Sequence, residues 1–413
     1  MDVGNILIIN QPIGNRGDEA AHRALVRSLN VALPDVNVTV LSFMDSLNGI
    51  SEFIVDFPKN EYVRFIFPHN YMADPCTKFL VQQNAVSCGT SIHPILRRLI
   101  SYYKKADVVL CAPGGICMGG FQNWRHLYFL QLAKIFHKPL VYYSRSIGPF
   151  PTGTRLNRKF KEISLNLLHT FDFLSLRDSK SKKYADDWGV KYISAIDTAF
   201  LEKPHVDLPT EVKCKLAEKY VIVVPNKLSW HYLYSKLPQT VIDNFWIAVV
   251  DKLRQSYTDH QIVMLPQLCS IGKRGDYNYF IKLKEMMPQT DIYVVPDIYG
   301  SDIQQTIISG AKMVVGARYH SVVFAINNEV PFIALGYEHK IAGLLEELNL
   351  STLLLDITKT FIDETTINQT LSAFAEKLDE LNGEGMYKRP RRDEAYIIAT
   401  KCFNSLIKYI KSL

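Results

Sequence analysis

The strongest constraint on the fold is an alternation of short apolar runs with longer amphipathic stretches, which continues along most of the chain. In the first half, the apolar runs predict strands at 6–9, 36–43, 108–111, 140–143, 173–176 and 192–196. Patterns with helical spacing lie between them, for example at 18–29, 94–104 and 127–137. Strands that alternate with helices form βαβ units, which build a mainly parallel sheet with helices on both faces.

The pattern begins again after a proline-containing stretch at 202–209 and predicts strands at 220–224, 261–265, 292–295, 313–315 and 331–334. A chain of 413 residues has room for two or three domains of about 150 residues each. The sequence therefore predicts an α/β protein with two doubly wound Rossmann-like domains, at 1–205 and 206–380, that face a central cleft. Residues 44–105 are long for one connection and are interpreted as a variable insertion.

The net charge of +6 is concentrated at the carboxyl terminus, because residues 388–413 hold seven Lys or Arg and only two acidic residues. The rest of the chain is nearly neutral and lacks a basic stripe, which excludes nucleic acid as a partner. The basic segment at 381–413 is expected to form a helix that packs back on the first domain. The alternative is a peripheral contact of this helix with anionic lipid.

Other sequence features exclude several classes of protein. No run reaches the ~18 apolar residues of a membrane span, and the first residues do not resemble a signal peptide, which predicts a cytoplasmic protein. The seven cysteines form no CxxC pair, and no group of His or carboxylate residues has ligand spacing. The sequence therefore predicts reduced thiols and no metal site.

Polar residues and glycines follow the predicted strands of the first domain, at the edge where α/β proteins bind ligands. Asn15 and Asp18 lie in the loop after the first strand and are suited to hydrogen bonds with sugar hydroxyls. Gly114 and Gly115 begin a stretch with four glycines in seven residues, which lets the backbone approach a ligand closely. Arg177 follows a later strand, and its guanidinium matches a carboxylate or a phosphate.

The densest group of candidate side chains follows the strand at 313–315. Gly316 opens the backbone, and Arg318 and His320 precede a helix that is expected to begin near Ser321. Helix N-termini favour bound anions. Lys340 follows the next predicted strand and adds positive charge at the same edge. The site is therefore predicted to be cationic and to bind an anion.

The candidate residues belong to a set of short motifs, namely Asn15-Arg-Gly-Asp-Glu-Ala20, Pro113-Gly-Gly115, Ser146-Ile-Gly-Pro149, Leu176-Arg-Asp178 with Ser181, Gly316-x-Arg-x-His320 and Pro331-x-x-Ala-Leu-x-Tyr-x-x-Lys340. In the order and spacing of these motifs, the sequence resembles the polysaccharide pyruvyl transferase family over roughly residues 6–345. The resemblance implies a GT-B-like fold. It also implies an enzyme that joins the pyruvate of phosphoenolpyruvate to two sugar hydroxyls as a ketal, with no further cofactor.

The resemblance also implies roles for the candidate residues. Arg318 and His320 match the family motif that holds the donor, and Arg177 matches a second basic position. His320 is expected to be the general acid and Arg318 to stabilise the departing phosphate, with Gly316 and Lys340 beside them. Asp18 is expected to orient or deprotonate the acceptor hydroxyl. The full set is donor-binding Arg177, Gly316, Arg318, His320 and Lys340, and acceptor-binding Asn15, Asp18, Gly114 and Gly115.

The implied acceptor is a sugar of a capsule, exopolysaccharide or other polysaccharide precursor, including an oligosaccharide linked to undecaprenyl diphosphate. A lipid-linked acceptor would place the enzyme at the inner face of the membrane. Two other functions stay open at this point. Glu338 and Glu346 have the E-x7-E spacing of some retaining GT-B glycosyltransferases, which use a nucleotide sugar. The other alternative is a glycan-binding protein without catalytic activity.

Overall fold

Two parallel sheets organise the residues that the computed structural model describes, namely 3–12, 14–44, 60–66, 94–120, 122–231, 233–269, 275–382 and 391–413. Each sheet belongs to one of two compact units. The first unit takes in Met1–Ile13, Asp18–Leu201 and Tyr396–Leu413, and the second takes in Gly14–Gly17 and Glu202–Ala395. The main division falls between Leu201 and Glu202, and the short segment Gly14–Gly17 from the first half belongs to the second unit.

The first unit has strands that alternate with helices. In chain order they are β1 (Asn5–Gln11), α1 (Arg16–Ala32), β2 (Asn37–Met44), β3 (Glu61–Ile66), α2 (Pro94–Lys105), β4 (Val108–Cys111), β5 (Gly114–Gly119), α3 (Trp124–Ile135), β6 (Leu140–Gly148), α4 (Arg155–Leu168), β7 (Phe173–Leu176), α5 (Ser179–Asp187) and β8 (Ile193–Ser194). The strands form one parallel sheet in the order β3-β2-β1-β4-β6-β7-β8, and β5 pairs with β6. Helix α1 begins at Arg16, in the loop that belongs to the second unit.

Both faces of this sheet are buried. Successive side chains of a strand point to opposite faces, so each strand contributes to a hydrophobic cluster on either side of the sheet. Leu7 and Ile9 of β1 belong to one hydrophobic cluster, and Ile6 and Ile8 belong to the other. A strand covered on both faces reads as a continuous apolar run, and this is why the sequence located these strands correctly.

The terminal helix packs on the first unit. Helix α13 (Arg392–Lys411) contributes Cys402, Phe403, Leu406 and Ile410 to the cluster that contains Ile6 and Ile8. The expectation that the terminal helix packs back is confirmed. The first unit includes this helix from Tyr396 onward.

The second unit repeats the doubly wound arrangement. Its elements are α6 (Thr210–Lys213), β9 (Tyr220–Val224), α7 (Gln239–Ser256), β10 (Gln261–Met264), α8 (Asp276–Glu285), β11 (Ile292–Val294), α9 (Ser301–Ser309), β12 (Val314–Gly316), α10 (Tyr319–Asn327), β13 (Phe332–Gly336), α11 (His339–Glu347), β14 (Leu354–Asp356) and α12 (Glu364–Asn382). All pairings are parallel, in the order β11-β10-β9-β12-β13-β14.

Two predictions about the first unit need correction or restriction. The sequence predicts no strand in the glycine-rich stretch after β4, but residues 114–119 form strand β5, whose Gly114 pairs with Arg145 of β6. Of the predicted insertion at 44–105, only β3, α2 and the residues next to them are described. The remaining residues of that insertion lie outside the described ranges.

Candidate active site

The loops after two neighbouring strands of the second unit meet where the sheet reverses its winding. The chain runs from β9 outward to β10 and β11 and then returns to β12 on the other side of β9. Doubly wound sheets bind ligands beyond the carboxyl ends of the strands at such a point. Asn226 follows β9, and its Nδ2 donates a hydrogen bond of 3.4 Å to the carbonyl oxygen of Ala317, which follows β12. The segment 316–320 therefore lies at the ligand-binding edge of this sheet.

Arg318 directly precedes α10 and has an extended backbone. Its guanidinium forms an ion pair with Asp276, and 13% of the Arg318 side chain is exposed. The carboxylate of Asp276 also accepts the backbone N–H groups of Gln267 (3.1 Å) and Leu268 (2.8 Å). Burial alone would lower the pKa of Arg318, but Asp276 raises that pKa above its ordinary value, so the charge is retained. Nε of Arg318 is buried and has no hydrogen-bond partner in the described part of the chain, which leaves it available to a ligand.

His320 is the second residue of α10 and is 6% exposed. Its ring meets that of Tyr319 edge-on, with the centroids 5.0 Å apart, and lies 6.2 Å from that of Phe324. Gly17 is part of the same unit, and a methyl group in place of its hydrogen would lie 1.9 Å from atoms of the imidazole. The backbone of Gly17 therefore packs directly on the ring and restricts its orientation.

Gly316 ends β12 and makes room for the helix that follows. A methyl group at this position would lie 2.2 Å from Oγ of Ser321, and this hydroxyl donates a 2.6 Å hydrogen bond to the carbonyl oxygen of Arg318. With this close packing after Gly316, α10 begins at Tyr319, two residues before the start that was expected near Ser321. Both Arg318 and His320 therefore lie at the positive end of the helix dipole.

Lys340 lies in the first turn of α11, after the neighbouring strand β13. Its Nζ is 2.6 Å from Oε1 of Glu338 and 5.9 Å from the centroid of the Tyr319 ring. Burial alone would raise the pKa of Glu338, but Lys340 lowers that pKa below its ordinary value. Arg318, His320 and Lys340, at the starts of two helices, form what we call the cationic edge of the second unit.

In the first unit, the structure brings Asp18 next to Gly114. A β-carbon at Gly114 would lie 3.4 Å from Oδ1 of Asp18 and 3.3 Å from Nη1 of Arg145, so the glycine lies between two opposite charges. No described atom lies within 4 Å of the corresponding position at Gly115. Arg145 is fully buried and donates to the carbonyl oxygens of Ala112 and Gly115. This glycine pair therefore combines open space with a nearby carboxylate, as a polar ligand would require.

Asn15 lies in the second unit, although the sequence grouped it with Asp18. Its Oδ1 accepts the N–H of Gly17 at 2.9 Å, and its backbone forms a single antiparallel bridge with Leu268. The acceptor-binding role of Asn15 stays a prediction. Arg16 beside it was not selected from the sequence, because an arginine at the start of a helix is common on protein surfaces. Arg16 is in fact 3% exposed, and its Nη2 donates to a backbone carbonyl oxygen at 2.6 Å.

Arg177 lies in the interior of the first unit. Its Nη1 is 2.5 Å from Oδ2 of Asp197, and the two side chains are 1% and 0% exposed. Its Nε donates a 3.0 Å hydrogen bond to Oγ of Ser146. In this conformation the guanidinium stabilises the fold of the first unit through a buried ion pair. The donor-binding role of Arg177 stays a prediction, and it would require the side chain to exchange its partner.

Asp276 was not predicted from the sequence, although it pairs with Arg318, the central arginine of the cationic edge. An acidic residue at the start of a helix is common, and Asp302 holds a similar place in α9. Asp276 is distinguished by its ion pair with Arg318, which lies 42 positions further along the chain, and no local pattern encodes this contact.

Among the residues that the structure describes, no three His, Cys, Asp or Glu side chains come together in a way that would hold a metal ion. None of the described helices combines the length and apolar character needed to cross a membrane.

Comparison with known proteins identifies a family and a relative. The model of the polysaccharide pyruvyl transferase family matches residues 15–339, which include Arg318 and His320 and end just before Lys340. The chain is 23% identical over 379 residues to the amylovoran biosynthesis protein AmsJ of Erwinia amylovora. That similarity covers 85% of this chain and 88% of AmsJ.

Solved structures with a similar fold are sugar-nucleotide epimerases and glycosyltransferases. A putative UDP-N-acetylglucosamine 2-epimerase from Listeria monocytogenes matches with a TM-score of 0.60 at 12% identity, covering 100% of this chain and 96% of its own. The UDP-GlcNAc 2-epimerase of Methanocaldococcus jannaschii matches with a TM-score of 0.54 at 12% identity, covering 99% and 100%. An α,α-trehalose 6-phosphate synthase from Burkholderia multivorans matches with 0.53 at 11%, covering 100% and 99%. These similarities confirm the GT-B-like fold.

Proposed function

This chain belongs to the polysaccharide pyruvyl transferase family, and we propose that it uses phosphoenolpyruvate to form a pyruvate ketal across two hydroxyls of a sugar. Membership of the family makes the protein a transferase of polysaccharide biosynthesis. The similarity to AmsJ agrees with a role in exopolysaccharide biosynthesis. The donor, the ketal and the form of the acceptor are the parts that we propose.

The cationic edge of the second unit is the observation that carries the proposal. Phosphoenolpyruvate has a carboxylate and a phosphate, so its receptor needs several cations and N–H donors close together. Arg318 offers a planar fork with an unused Nε, and the helices that begin at Tyr319 and His339 offer backbone N–H groups. Lys340 supplies a further charge at the start of the second of these helices. This set of groups suits a ligand that carries two anionic groups.

The reaction assigns a task to each group of the cationic edge. A proton is added to the methylene carbon of phosphoenolpyruvate, and His320 is our candidate for its donor. One sugar hydroxyl then bonds to C2, the bond between C2 and the phosphate oxygen breaks, and Arg318 stabilises the phosphate that leaves. The second hydroxyl bonds to C2 to close the ketal, and the protons of both hydroxyls are released. One phosphate is formed for each ketal.

The first unit supplies three of the acceptor candidates, Asp18, Gly114 and Gly115, and the second unit supplies Asn15. Asp18 would orient or deprotonate the attacking hydroxyl, and the open backbone at Gly114 and Gly115 would let a sugar approach. The position of Asp18 beside Gly114 supports a shared role for these residues. Asn15 would hydrogen-bond the acceptor only if its side-chain oxygen left the N–H of Gly17.

The proposal is tested by mass spectrometry of the acceptor after incubation with phosphoenolpyruvate. We expect the acceptor to gain the mass of pyruvic acid less one water, with release of one phosphate. The variant His320→Ala should lose about 10²–10⁴-fold in rate, which is the usual contribution of a general acid. The matched control is His260→Ala, which removes a histidine just before β10, at the opposite end of the same sheet. A wild-type protein that forms no ketal with any acceptor in a broad panel contradicts the proposal.

The nucleotide-sugar alternative rests on the spacing of Glu338 and Glu346, and the structure does not favour it. Glu338 is paired with Lys340 before α11, whereas Glu346 is exposed near the end of that helix. Eight residues of helix place the backbone positions of Glu338 and Glu346 about 12 Å apart along the helix axis. Isothermal titration with phosphoenolpyruvate and with UDP-sugars separates the two functions. Saturable binding of UDP-sugars alone would contradict the pyruvyl assignment.

We further propose a lipid-linked oligosaccharide, such as one on undecaprenyl diphosphate, as acceptor, with the enzyme at the cytoplasmic face of the membrane. Basic residues of α13 would contribute about 1 kcal/mol each to contact with anionic lipid. Deletion of α13 is an unsuitable test, because the helix is part of the core of the first unit. The exposed Lys401, Lys408 and Lys411 can instead be changed to Glu. Unchanged flotation with anionic liposomes would then contradict the membrane contact.

The reaction as proposed needs no cofactor. Neither proton transfer nor loss of phosphate requires a metal when arginine and lysine stabilise the charges. Ketal formation after exhaustive chelation should therefore proceed at the original rate. A rate that falls on chelation and returns with one divalent cation would contradict this part of the proposal.

A further inference from the structure

Trp230 is the exposed aromatic side chain nearest in sequence to the carboxyl end of β9. It is 41% exposed, although its neighbours in the same turn, Leu228 and His231, are buried. Large aromatic rings are usually withdrawn from solvent, and an exposed ring at a ligand-binding edge is a candidate contact for a ligand. Its value as a binding surface depends on whether the indole is mobile or fixed in one orientation.

Contacts with three residues that the structure describes hold the indole of Trp230 in place. Its Nε1 donates a 3.0 Å hydrogen bond to Oδ1 of Asn226, a side chain that is fully buried. Its ring lies at 84° to that of His231 and at 88° to that of Tyr337, with centroids 5.5 and 5.9 Å apart. A ring fixed in this way loses little conformational entropy when a ligand binds, which is the condition for an effective binding surface.

The backbone of this turn is also constrained. Leu228 is fully buried and has a φ of 55°, in the left-handed region that a branched side chain rarely adopts. Its N–H donates to the same Oδ1 of Asn226 at 3.1 Å. Such a conformation persists only where the surroundings enforce it. Burial of Leu228 and exposure of Trp230 are therefore two results of one fixed turn.

The same asparagine connects Trp230 to the cationic edge. Nδ2 of Asn226 donates to the carbonyl oxygen of Ala317, the residue before Arg318. The side-chain amide of Asn226 therefore bonds both to the indole of Trp230 and to the loop that carries Arg318, the proposed donor-binding arginine. Trp230 and Ala317 follow adjacent strands. A second substrate that reacts with a donor held at Arg318 would therefore extend past Trp230.

We propose that Trp230 is a stacking surface for a pyranose ring of the glycan acceptor, next to the cationic edge of the second unit. The C–H groups on one face of a pyranose are apolar and match the face of an indole, while the sugar hydroxyls stay in water. This inference rests on the proposed function for the nature of its ligand. It adds a binding determinant for the acceptor within the unit that holds the cationic edge.

The test measures glycan binding directly, so that it does not depend on turnover. Wild-type protein and the variants Trp230→Leu and Trp230→Phe are titrated with a panel of hexose- and N-acetylhexosamine-containing oligosaccharides. We expect Trp230→Leu to weaken binding by at least about tenfold and Trp230→Phe, which keeps a ring, to weaken it less. The matched control is Leu233→Ala, three positions further along the chain and 50% exposed, which should bind as the wild type does.

The kinetic part of the test separates this inference from the proposed function. With an acceptor on which the wild type forms the ketal, Trp230→Leu should raise the KM for acceptor and leave the KM for phosphoenolpyruvate unchanged. Equal glycan binding by wild type and Trp230→Leu, or no glycan binding by the wild type, overturns the stacking surface. Binding of UDP that Trp230→Leu weakens also overturns it, since the ring would then stack on a base. Absence of ketal in the wild type, with glycan binding still lost in Trp230→Leu, overturns only the proposed function.

Discussion

At the residue scale, two cations of the cationic edge each have a carboxylate partner: Arg318 pairs with Asp276 and Lys340 pairs with Glu338. Partners of this kind offset the cost of holding cations away from water and fix the direction of their N–H groups. A bound anion is therefore stabilised less by the net charge of the cationic edge than by N–H donors whose direction is already fixed. His320 differs, because its orientation depends on the backbone of Gly17 packing against its ring.

The packing of Gly17 on His320 leads to the first prediction. In Gly17→Ala the new methyl group would overlap the imidazole, so the ring or the loop must shift. A displacement of about 1 Å in a reacting group lowers a rate by about 10²-fold. We therefore expect the kcat of ketal formation to fall by about that factor, with the fold retained by circular dichroism.

The control for this substitution is Gly120→Ala, since no described atom lies within 4 Å of a β-carbon at Gly120. This variant should keep the wild-type kcat. If Gly17→Ala also keeps the wild-type kcat, then the ring of His320 is not positioned by Gly17 or does not take part in the rate-limiting step.

At the scale of elements, the sequence located the strands that are buried on both faces. Such strands need continuous apolar runs, and the run at 220–224 became β9 with no change of bounds. Strand β5 was missed because Gly114, Gly115, Gly119 and Gly120 indicate a turn, whereas pairing with β6 keeps most of this stretch extended. The residues that form β14 were missed as well, because a three-residue edge strand leaves too short a pattern.

The candidate site was predictable only where its residues are neighbours in sequence. Arg318 and His320 were found because a strand, a glycine and a helix start follow one another within a few residues. Asp276 was missed because it approaches Arg318 from the start of another helix, 42 positions away in the chain. Asn15 was grouped with Asp18 by sequence distance, although the division between the two units falls between them.

Helix α13 gives the prediction at this scale. Leu406 is fully buried in the hydrophobic cluster of the first unit, so Leu406→Ala removes apolar contacts and leaves a cavity. We expect a loss of about 2–5 kcal/mol in the free energy of unfolding, measured as a lower thermal midpoint. Ile397→Ala, on the same helix but 49% exposed, should change it by less than about 0.5 kcal/mol. Equal, small effects of both substitutions would mean that α13 is dispensable for the first unit.

At the scale of the whole molecule, sensitivity to acid is expected to arise from His126 in the first turn of α3. Burial, followed by the charge of Arg145, lowers the pKa of His126 well below its ordinary value. The unfolded chain therefore binds this proton more tightly than the folded protein does. The stability from neutral His126 is present above about pH 6.5, and it falls by about 1.4 kcal/mol per pH unit below that value.

The variant His126→Phe tests this explanation. It keeps an aromatic ring against Tyr142, which lies 5.9 Å from His126 between centroids, and it removes the titrating group. Thermal midpoints between about pH 8 and pH 5 should fall less steeply for the variant than for the wild type. Identical slopes in the two proteins would assign the acid sensitivity to other groups.

Hydrogen exchange in the presence of the donor alone can show which of the two units binds phosphoenolpyruvate. If phosphoenolpyruvate binds at the cationic edge, it contacts the starts of α10 and α11, which both belong to the second unit. Hydrogen exchange of the peptides that contain 316–323 and 337–343 should therefore slow when phosphoenolpyruvate is added. A ligand at 100 times its Kd stabilises the state that binds it by about 2.7 kcal/mol, which is ample for detection. Peptides from α13 serve as the internal control, since that helix packs in the first unit.

The variant Arg318→Lys keeps the charge but loses the planar fork, so its peptides should show weaker protection at the same concentration of phosphoenolpyruvate. Protection confined to the peptides around Asp18 and Arg177 would instead place the donor in the first unit and would reverse the assignment of donor and acceptor residues.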